Sequence, residues 1–395
     1  MGYLPIEYSI LHSLKIPILL FVILIVSFSR CTYDAAEELE KKYTITLRWN
    51  KAYETEQWNN VRTGLIWSFS FLGAELPAGS FDASLKWIND TQFRCDLSKL
   101  GFNVSALEAL SVIADRIKES EEYKKNGAAD IGRFLMLTLY SSRHYYKITG
   151  AATTLNSFKD FHSFYSPFPF AVTNSGVALH DRLIKINASS SLSHLSCIAS
   201  EGTGNLADNT FLETEYESID LMSNSQLRFS VYSADGALKI SANNLLSIAG
   251  KPGKCMWCHQ SNFSPLFYLN DDLPGYMTTQ QFVDSIYSFR NRIIDRRNSL
   301  STDVLYKNLQ DHTQSELLYI SFLEPSAQRI ANEWGVSVSA VNELIKNLPA
   351  HIYPEFPFLG DLYYRSWVDS LAPYKTVRTP ESAREERAYE PDFFN

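Results

Sequence analysis

Residues 227–259 join two patterns in one stretch, LRFSVYSADGALKISANNLLSIAGKPGKCMWCH. The first six residues alternate apolar and polar side chains, which predicts a half-buried β-strand with Phe229 and Val231 on its apolar face. Asp235-Gly236 then predicts a tight hairpin turn, and Ala237 to Ile240 a returning strand. The stretch therefore predicts an antiparallel sheet that leads directly into a pair of cysteines.

Similar short segments extend the predicted sheet over residues 166–250. Pro167 and Pro169 interrupt the helical pattern that precedes them, and loops rich in Ser, Asn and Gly separate the segments that follow. Phe211–Leu221 is a further predicted strand. We therefore predict a small antiparallel β region in the middle of the chain.

Residues 31–165, before this region, have mainly helical periodicity. Ser105 to Glu108 has the spacing of a capping box and precedes an amphipathic pattern. Asp130–Tyr146 is apolar almost all round, which is typical of a buried helix.

Residues 251–395, after the β region, are also predicted to be helical, and they contain the two cysteines. Thr278 to Gln281 is a second capping box, and it opens a helix that runs to about Arg297. The predicted fold class is α+β and mostly helical.

Cys255, Cys258 and His259 form the pattern C-x-x-C-H. Two thiols at this spacing also suit a redox dithiol or half of a zinc site, and a five-residue pattern can arise by chance. A thioredoxin-like dithiol would follow a strand in a βαβ unit, and zinc would need further ligands; neither pattern is found in the sequence.

In this motif the chain resembles a c-type cytochrome. The resemblance implies one covalently bound haem c, with thioether bonds at Cys255 and Cys258 and with His259 as the proximal iron ligand. It also implies that a backbone carbonyl near Pro265 orients the imidazole. Because that proline follows His259 more closely than in common small cytochromes, its role is left open.

The sixth iron position decides between electron transfer and the binding of small ligands. Met277, His312 and His144 are the candidate distal ligands, followed by His162 and His351. Met277 also stands where a hydrophobic staple would pack on the next helix, and a histidine on a buried helix is commonly a hydrogen-bonded core residue. An open sixth position is the remaining alternative.

The N-terminus has the pattern of an export signal, with an apolar run over residues 16–28. Cys31 follows this run closely and resembles the lipidated cysteine of bacterial lipoproteins, although Arg30 stands where a small residue is usual. We predict a signal peptide at residues 1–30, with an uncleaved signal anchor as the alternative. Both predict an exported protein held at a membrane, facing the periplasm or the cell surface.

Two cysteines lie outside these motifs, Cys95 and Cys197. Disulfides form in exported proteins, so these residues are either a disulfide pair or two separate buried thiols.

Nucleic acid is excluded as a partner by charge. The 395-residue chain has a formal charge of −8. Residues 326–345 resemble a DNA-binding helix-turn-helix in the spacing of Ala331, Gly335 and Val341, but the second helix is not basic. We predict two packed helices around a tight turn instead.

These observations favour an electron-transfer lipoprotein of the bacterial envelope, with a redox protein or a respiratory component as its partner. The alternatives are a cell-surface binding or structural lipoprotein, whose motif is ancillary or binds another metal, and a haem peroxidase-like enzyme. No catalytic pair can be assigned from sequence spacing, so enzymatic activity is the less favoured hypothesis.

Overall fold

The structure is a computed structural model that describes residues 42–189, 191–265, 267, 270–381 and 389–395. Within these residues the chain forms α-helices and two β-sheets, with a few short 3₁₀ turns. The α-helices are α1 Trp58–Phe71, α2 Ser80–Ser84, α3 Val104–Lys118, α4 Glu121–Asn126, α5 Ile131–Thr138, α6 Ser142–Thr149, α7 Leu155–His162, α8 Pro252–His259, α9 Thr279–Asn298, α10 Thr313–Leu323, α11 Ala327–Trp334, α12 Val338–Ile345 and α13 Arg365–Asp369. The strands are β1 Thr44–Arg48, β2 Leu85–Trp87, β3 Gln92–Asp96, β4 Ala129–Asp130, β5 Phe170–Val172, β6 Arg182–Ile186, β7 Ser196–Thr203, β8 Leu212–Leu221, β9 Leu227–Ser233 and β10 Leu238–Lys239.

The larger sheet has six antiparallel strands in the order β10-β9-β8-β7-β6-β5. Ile186, Cys197, Ile219 and Phe229 lie in register across four of its strands. Paired residues of an antiparallel sheet point to the same face, so this row is continuous and apolar. The alternation predicted for Leu227–Tyr232 and the hairpin at Asp235-Gly236 are both confirmed.

The fold class α+β is confirmed, but the β-structure is not small. A second sheet, in the order β2-β3-β1-β4, lies in the region predicted to be helical. Its strands have two to five residues each, too few for alternation to stand out beside the long helices. Ile45, Leu47 and Phe93 nevertheless point into the core, as alternation requires.

Two helix predictions before the large sheet are wrong. Asn103, not Ser105, caps α3, because its side chain accepts a hydrogen bond from the Ala106 amide. The single helix predicted over Asp130–Tyr146 is two helices. Ser141 adopts an extended conformation between α5 and α6, which lets both helices bury apolar faces.

After the large sheet, the predicted helices are confirmed. Thr278 and Gln281 form the expected reciprocal capping box at the start of α9. Helices α11 and α12 pack together around Gly335, whose φ of +68° allows the tight turn.

The main hydrophobic core includes residues from all three predicted regions, from Ile45 to Leu362. The proposed boundaries at 165 and 250 remain predictions. The signal peptide and Cys31 lie outside the described residues.

Candidate functional site

The complete C-x-x-C-H motif lies on helix α8. Pro252 begins this helix, although a Pro-Gly pair is more typical of a turn or loop. Proline is favoured in a first helical turn, where an amide hydrogen has no partner within the helix, and its fixed φ already suits the helix. The motif residues are therefore held by regular backbone rather than by a loop.

Contacts on its other side fix the orientation of α8. Met256 is buried, and Trp257 stacks on Tyr319 with 5.8 Å between the ring centroids. At Gly253 the helix lies so close to the Tyr140 ring that an added Cβ would be 2.9 Å from it. These contacts leave Cys255, Cys258 and His259 on the side that faces the sheet.

A largely apolar cavity separates these three residues from the sheet and from helix α9. Its lining side chains come from the sheet, α8, α9 and the two loops that flank α8. They are Val177, Arg182, Ile184, Cys197, Ala199, Glu217, Ser218, Ile219, Phe229, Ser230, Val231, Ile248, Ala249, Lys254, Cys255, Cys258, His259, Phe263, Ser264, Pro265, Phe267, Phe282 and Ile286.

The chemistry of this lining suits a haem, but its size is limiting. Two thiols and an imidazole face apolar walls, which is the donor set that covalent haem attachment requires. The cavity volume is about 180 Å³, below the roughly 300–1,000 Å³ usual for small-molecule pockets. Haem attachment would therefore require the lining side chains to move apart.

His259 has the state expected of a metal ligand. Burial lowers its pKa to about 4, Arg182 adds to this lowering, and the backbone of Asn262 opposes it. The imidazole is consequently neutral at pH 7. Its Nδ1 is buried without a hydrogen-bond partner, so the expected bond to a carbonyl near Pro265 is not formed. Such an unpaired group costs about 1–3 kcal/mol unless a ligand satisfies it.

The two motif thiols are not activated nucleophiles. Burial raises the pKa of Cys255 well above its usual value, and Glu217 raises it further. Burial also raises the pKa of Cys258, although this side chain reaches the surface. Redox dithiols of the thioredoxin type depend on a lowered thiol pKa. The electrostatics here therefore do not favour that alternative.

The structure does not bring the favoured distal candidates to the cavity. Met277 lies before α9, where its amide donates to the Pro169 carbonyl. His312 is buried beside Trp67, and its Nδ1 lies 2.7 Å from a Glu316 carboxylate oxygen. Neither residue lines the cavity.

His144 is a buried core histidine with both ring nitrogens engaged. Its Nδ1 lies 2.5 Å from the Leu137 carbonyl oxygen, and its Nε2 accepts a hydrogen bond from the Phe393 amide at 3.2 Å. His162 pairs with Asp220, and His351 pairs with Glu324, both at other sites. Among the described cavity residues, His259 is the only histidine, and there is no methionine.

The disulfide considered for Cys95 and Cys197 is not formed. Cys95 lies on β3 of the smaller sheet and Cys197 on β7 of the larger one, and both are free buried thiols. Burial raises the pKa of Cys95 to about 12 and that of Cys197 further above its usual value. These residues are therefore two separate buried thiols, which was the alternative hypothesis.

Sequence analysis missed a group of charged residues beside the cavity, two of which, Arg182 and Glu217, line it. We call Arg182, Glu201 and Glu217 the cavity charge cluster. Arg182 Nη2 lies 2.5 Å from Glu201 Oε1 and 3.2 Å from Glu217 Oε2. Alternation within β8 places Glu217 on the same face of the sheet as Ile219. That Arg182 on β6 and Glu201 on β7 lie on this face too is shown only by the register between the strands.

Comparisons of this chain with protein-family models, curated proteins and solved structures find no match.

In the described part of the chain, no group of three or more His, Cys, Asp or Glu side chains is placed to hold a metal ion. A c-type haem takes only one histidine from its motif and does not require such a group. No helix among the described residues combines the length and apolarity needed to cross a membrane.

Proposed function

We propose that this protein binds one haem c covalently and serves in electron transfer at the bacterial envelope. The observation that carries the proposal is the shared orientation of Cys255, Cys258 and His259 toward one apolar cavity. The neutral His259 ring and its unpaired Nδ1 support ligation of iron.

The roles of the motif residues follow from their chemistry. Each thiol, at Cys255 and Cys258, would add across one vinyl group, forming a carbon–sulfur bond while the thiol hydrogen moves to the vinyl group. His259 would hold the iron from one side. When bound, haem supplies one-electron exchange, and the protein supplies its orientation and electrostatic environment.

The apolar walls suit this role. Ile184, Ala199 and Ile219 extend the lining across the sheet, and Phe282 and Ile286 close it from α9. Such walls exclude water and keep the local dielectric low, which makes nearby charges more effective in setting a reduction potential.

Expression together with a haem-attachment system tests the proposal. The purified protein should gain the mass of one haem, and its visible spectrum should survive denaturation because the attachment is covalent. Cys255→Ala combined with Cys258→Ala should abolish the attachment. Cys197→Ala is the matched control, since this thiol lines the same cavity outside the motif. A wild-type peptide with both motif thiols unmodified would contradict the proposal.

Envelope attachment rests on the N-terminal sequence. We infer that Cys31 is lipidated after removal of residues 1–30. Labelled palmitate should enter the wild-type protein and be lost in Cys31→Ser. Persistence of the label in that variant, or an intact Met1 peptide in the mature protein, would refute this assignment.

A further inference from the structure

A surface groove lies apart from the cavity, where the turn between β8 and β9 meets the start of α3 and the ends of α6 and α7. It has two adjoining parts with volumes of about 490 and 640 Å³, and Arg228 and Phe161 line both. Each volume lies within the roughly 300–1,000 Å³ usual for small-molecule pockets. We call this feature the Arg228 groove.

The charged side chains that line the Arg228 groove are cationic. Arg228 and Arg296 line it, and no Asp or Glu is among its described lining residues. Arg296 is exposed near the end of α9, and its guanidinium forms no hydrogen bond or ion pair with another described residue. In a chain with a formal charge of −8, this local excess of positive charge favours an anionic ligand.

Arg228 is held in place and still has a donor to offer. Its Nε and Nη2 donate to the Asp220 carboxylate, and its Nη1 donates to the carbonyls of Thr149 and Gly150. A guanidinium has five N–H donors, so one on Nη2 remains for a ligand. The side chain is 16% exposed, which leaves it accessible from the groove.

The same carboxylate orients His162, whose Nε2 lies 2.9 Å from Asp220 Oδ2. Burial raises the pKa of Asp220, but Arg228 and His162 lower it by more, so this carboxylate is charged and accepts the hydrogen on Nε2. In a neutral imidazole, Nδ1 is then an acceptor. It has no hydrogen-bond partner, although His162 is only 1% exposed and lines the groove. A ligand that donates to Nδ1 would satisfy it.

Two further polar features face the groove. Asn103 caps α3, and the amides of Val104 and Ser105 in the first turn have no partner within the helix. A helix start also favours negative charge. The hydroxyl of Ser225 has no hydrogen-bond partner, although this residue is 1% exposed and lines the groove.

Apolar surface stands beside these polar groups. Phe161 is 63% exposed and Val104 is 73% exposed, and both line the groove. Exposed apolar side chains around convergent polar groups suit an organic ligand better than an inorganic anion.

We propose that the Arg228 groove binds a small organic acid that carries a hydroxyl group. Arg228, Arg296 and the start of α3 supply the positive charge and donors for the carboxylate. His162 Nδ1 accepts a hydrogen bond from the ligand hydroxyl, and Asp220 positions both His162 and Arg228. The apolar body of the ligand covers Phe161. None of the lining residues belongs to the C-x-x-C-H motif, so the inference is independent of the proposed haem function.

Calorimetric titration with para-hydroxybenzoate tests the proposal. This probe joins a carboxylate and a hydroxyl through an aromatic ring, so we expect it to bind, and added salt should weaken its binding. Benzoate has no hydroxyl for His162 and should bind up to about tenfold more weakly. Phenol has no carboxylate and should also bind more weakly. Absence of para-hydroxybenzoate binding at millimolar concentration, or equal affinities for the three probes, would overturn the inference.

A pair of variants on α9 locates the site. Arg296→Gln should weaken para-hydroxybenzoate binding by about two- to fivefold, the range of an exposed ion pair. Arg290→Gln is the matched control, because Arg290 lies on the same helix and does not line the groove. It should keep the wild-type affinity. Equal affinities in the two variants would overturn the inference.

Two further measurements cover the other parts of the proposal. Nitrogen NMR of the wild-type protein should show the Nδ1 resonance of His162 shift when para-hydroxybenzoate is added, and an unchanged resonance would overturn the inference. This measurement requires no variant at a buried residue. Cys255→Ala combined with Cys258→Ala should bind the probe with wild-type affinity. Failure of haem attachment would therefore leave this inference standing, whereas loss of probe binding in the double variant would overturn the independence of the groove.

Discussion

Two buried groups of charges in this protein are built differently, and they differ in how many cations face their carboxylates. The first, which we call the arginine cluster, gathers Arg133, Arg329 and Arg365 around the Phe322 ring, with guanidinium-to-centroid distances of 4.9, 5.5 and 4.0 Å. The second is the cavity charge cluster around Arg182.

Each cation of the arginine cluster has a carboxylate within 3.0 Å, and Glu333 lies within 3.6 Å of all three cations. Arg133 pairs with Glu122 at 2.6 Å, Arg329 with Asp130 at 2.7 Å, and Arg365 with Glu333 at 3.0 Å. Despite burial, Arg329 holds the pKa of Asp130 at about 2. In the cavity charge cluster, by contrast, two carboxylates share one cation. Burial also raises the pKa of Glu122 to about 7 beside Arg133, so an ion pair in the arginine cluster does not keep every carboxyl group at its ordinary pKa.

The largest predicted effect is on the arginine cluster. Arg329→Met should lower the free energy of unfolding by about 3–5 kcal/mol, because it leaves Asp130 buried without its cation. Denaturant unfolding measures the loss. Arg116→Met is the control: its ion pair with Glu119 is exposed, so it should cost no more than about 1 kcal/mol. Equal losses in the two variants would contradict a structural role for the arginine cluster.

The next predicted effect is on the cavity charge cluster, and it depends on pH. The pKa of Glu201 is about 8 in the folded protein and near its ordinary value, about 4.3, in the unfolded chain. The folded state therefore binds more protons between these values, so the free energy of unfolding should fall as pH rises through that range.

The expected slope from this group is up to about 1.4 kcal/mol per pH unit. Denaturant unfolding at several pH values between about 5 and 8 measures this slope. Glu201→Gln should remove this component of the slope. Glu213→Gln should retain it, because Glu213 pairs with Lys185 and does not line the cavity. A glutamine variant at Glu201 with the wild-type pH dependence would show that its carboxyl group carries no extra proton.

The contrast between the two clusters also shows what could be predicted from the sequence. The motif on Cys255, Cys258 and His259 is local, and so are the alternation of Leu227–Tyr232 and the capping box at Thr278. Each of these three patterns depends on neighbours within a few residues. The strand and the capped helix were predicted at nearly the right bounds.

Both charged clusters depend on contacts between distant parts of the chain. Asp130 and Arg329 are separated by 199 positions, and Arg182 and Glu217 by 35. Local patterns carry no information about strand register, so Arg182 could not be assigned to the cavity from sequence. The smaller sheet was missed for a related reason, since its short strands are recognised through their pairing partners.

The smallest predicted effect concerns Met277, which belongs to neither cluster. Met277→Leu should leave the haem spectrum unchanged, because this residue lies before α9 and does not line the cavity. A volume-conserving change of a half-buried side chain should cost less than about 1.5 kcal/mol. The position immediately before the Thr278 cap is that of a hydrophobic staple, so loss of packing is the only effect expected. A spectrum altered by Met277→Leu would instead identify this residue as the distal ligand. The start of α9 would then have to move toward the cavity on haem attachment.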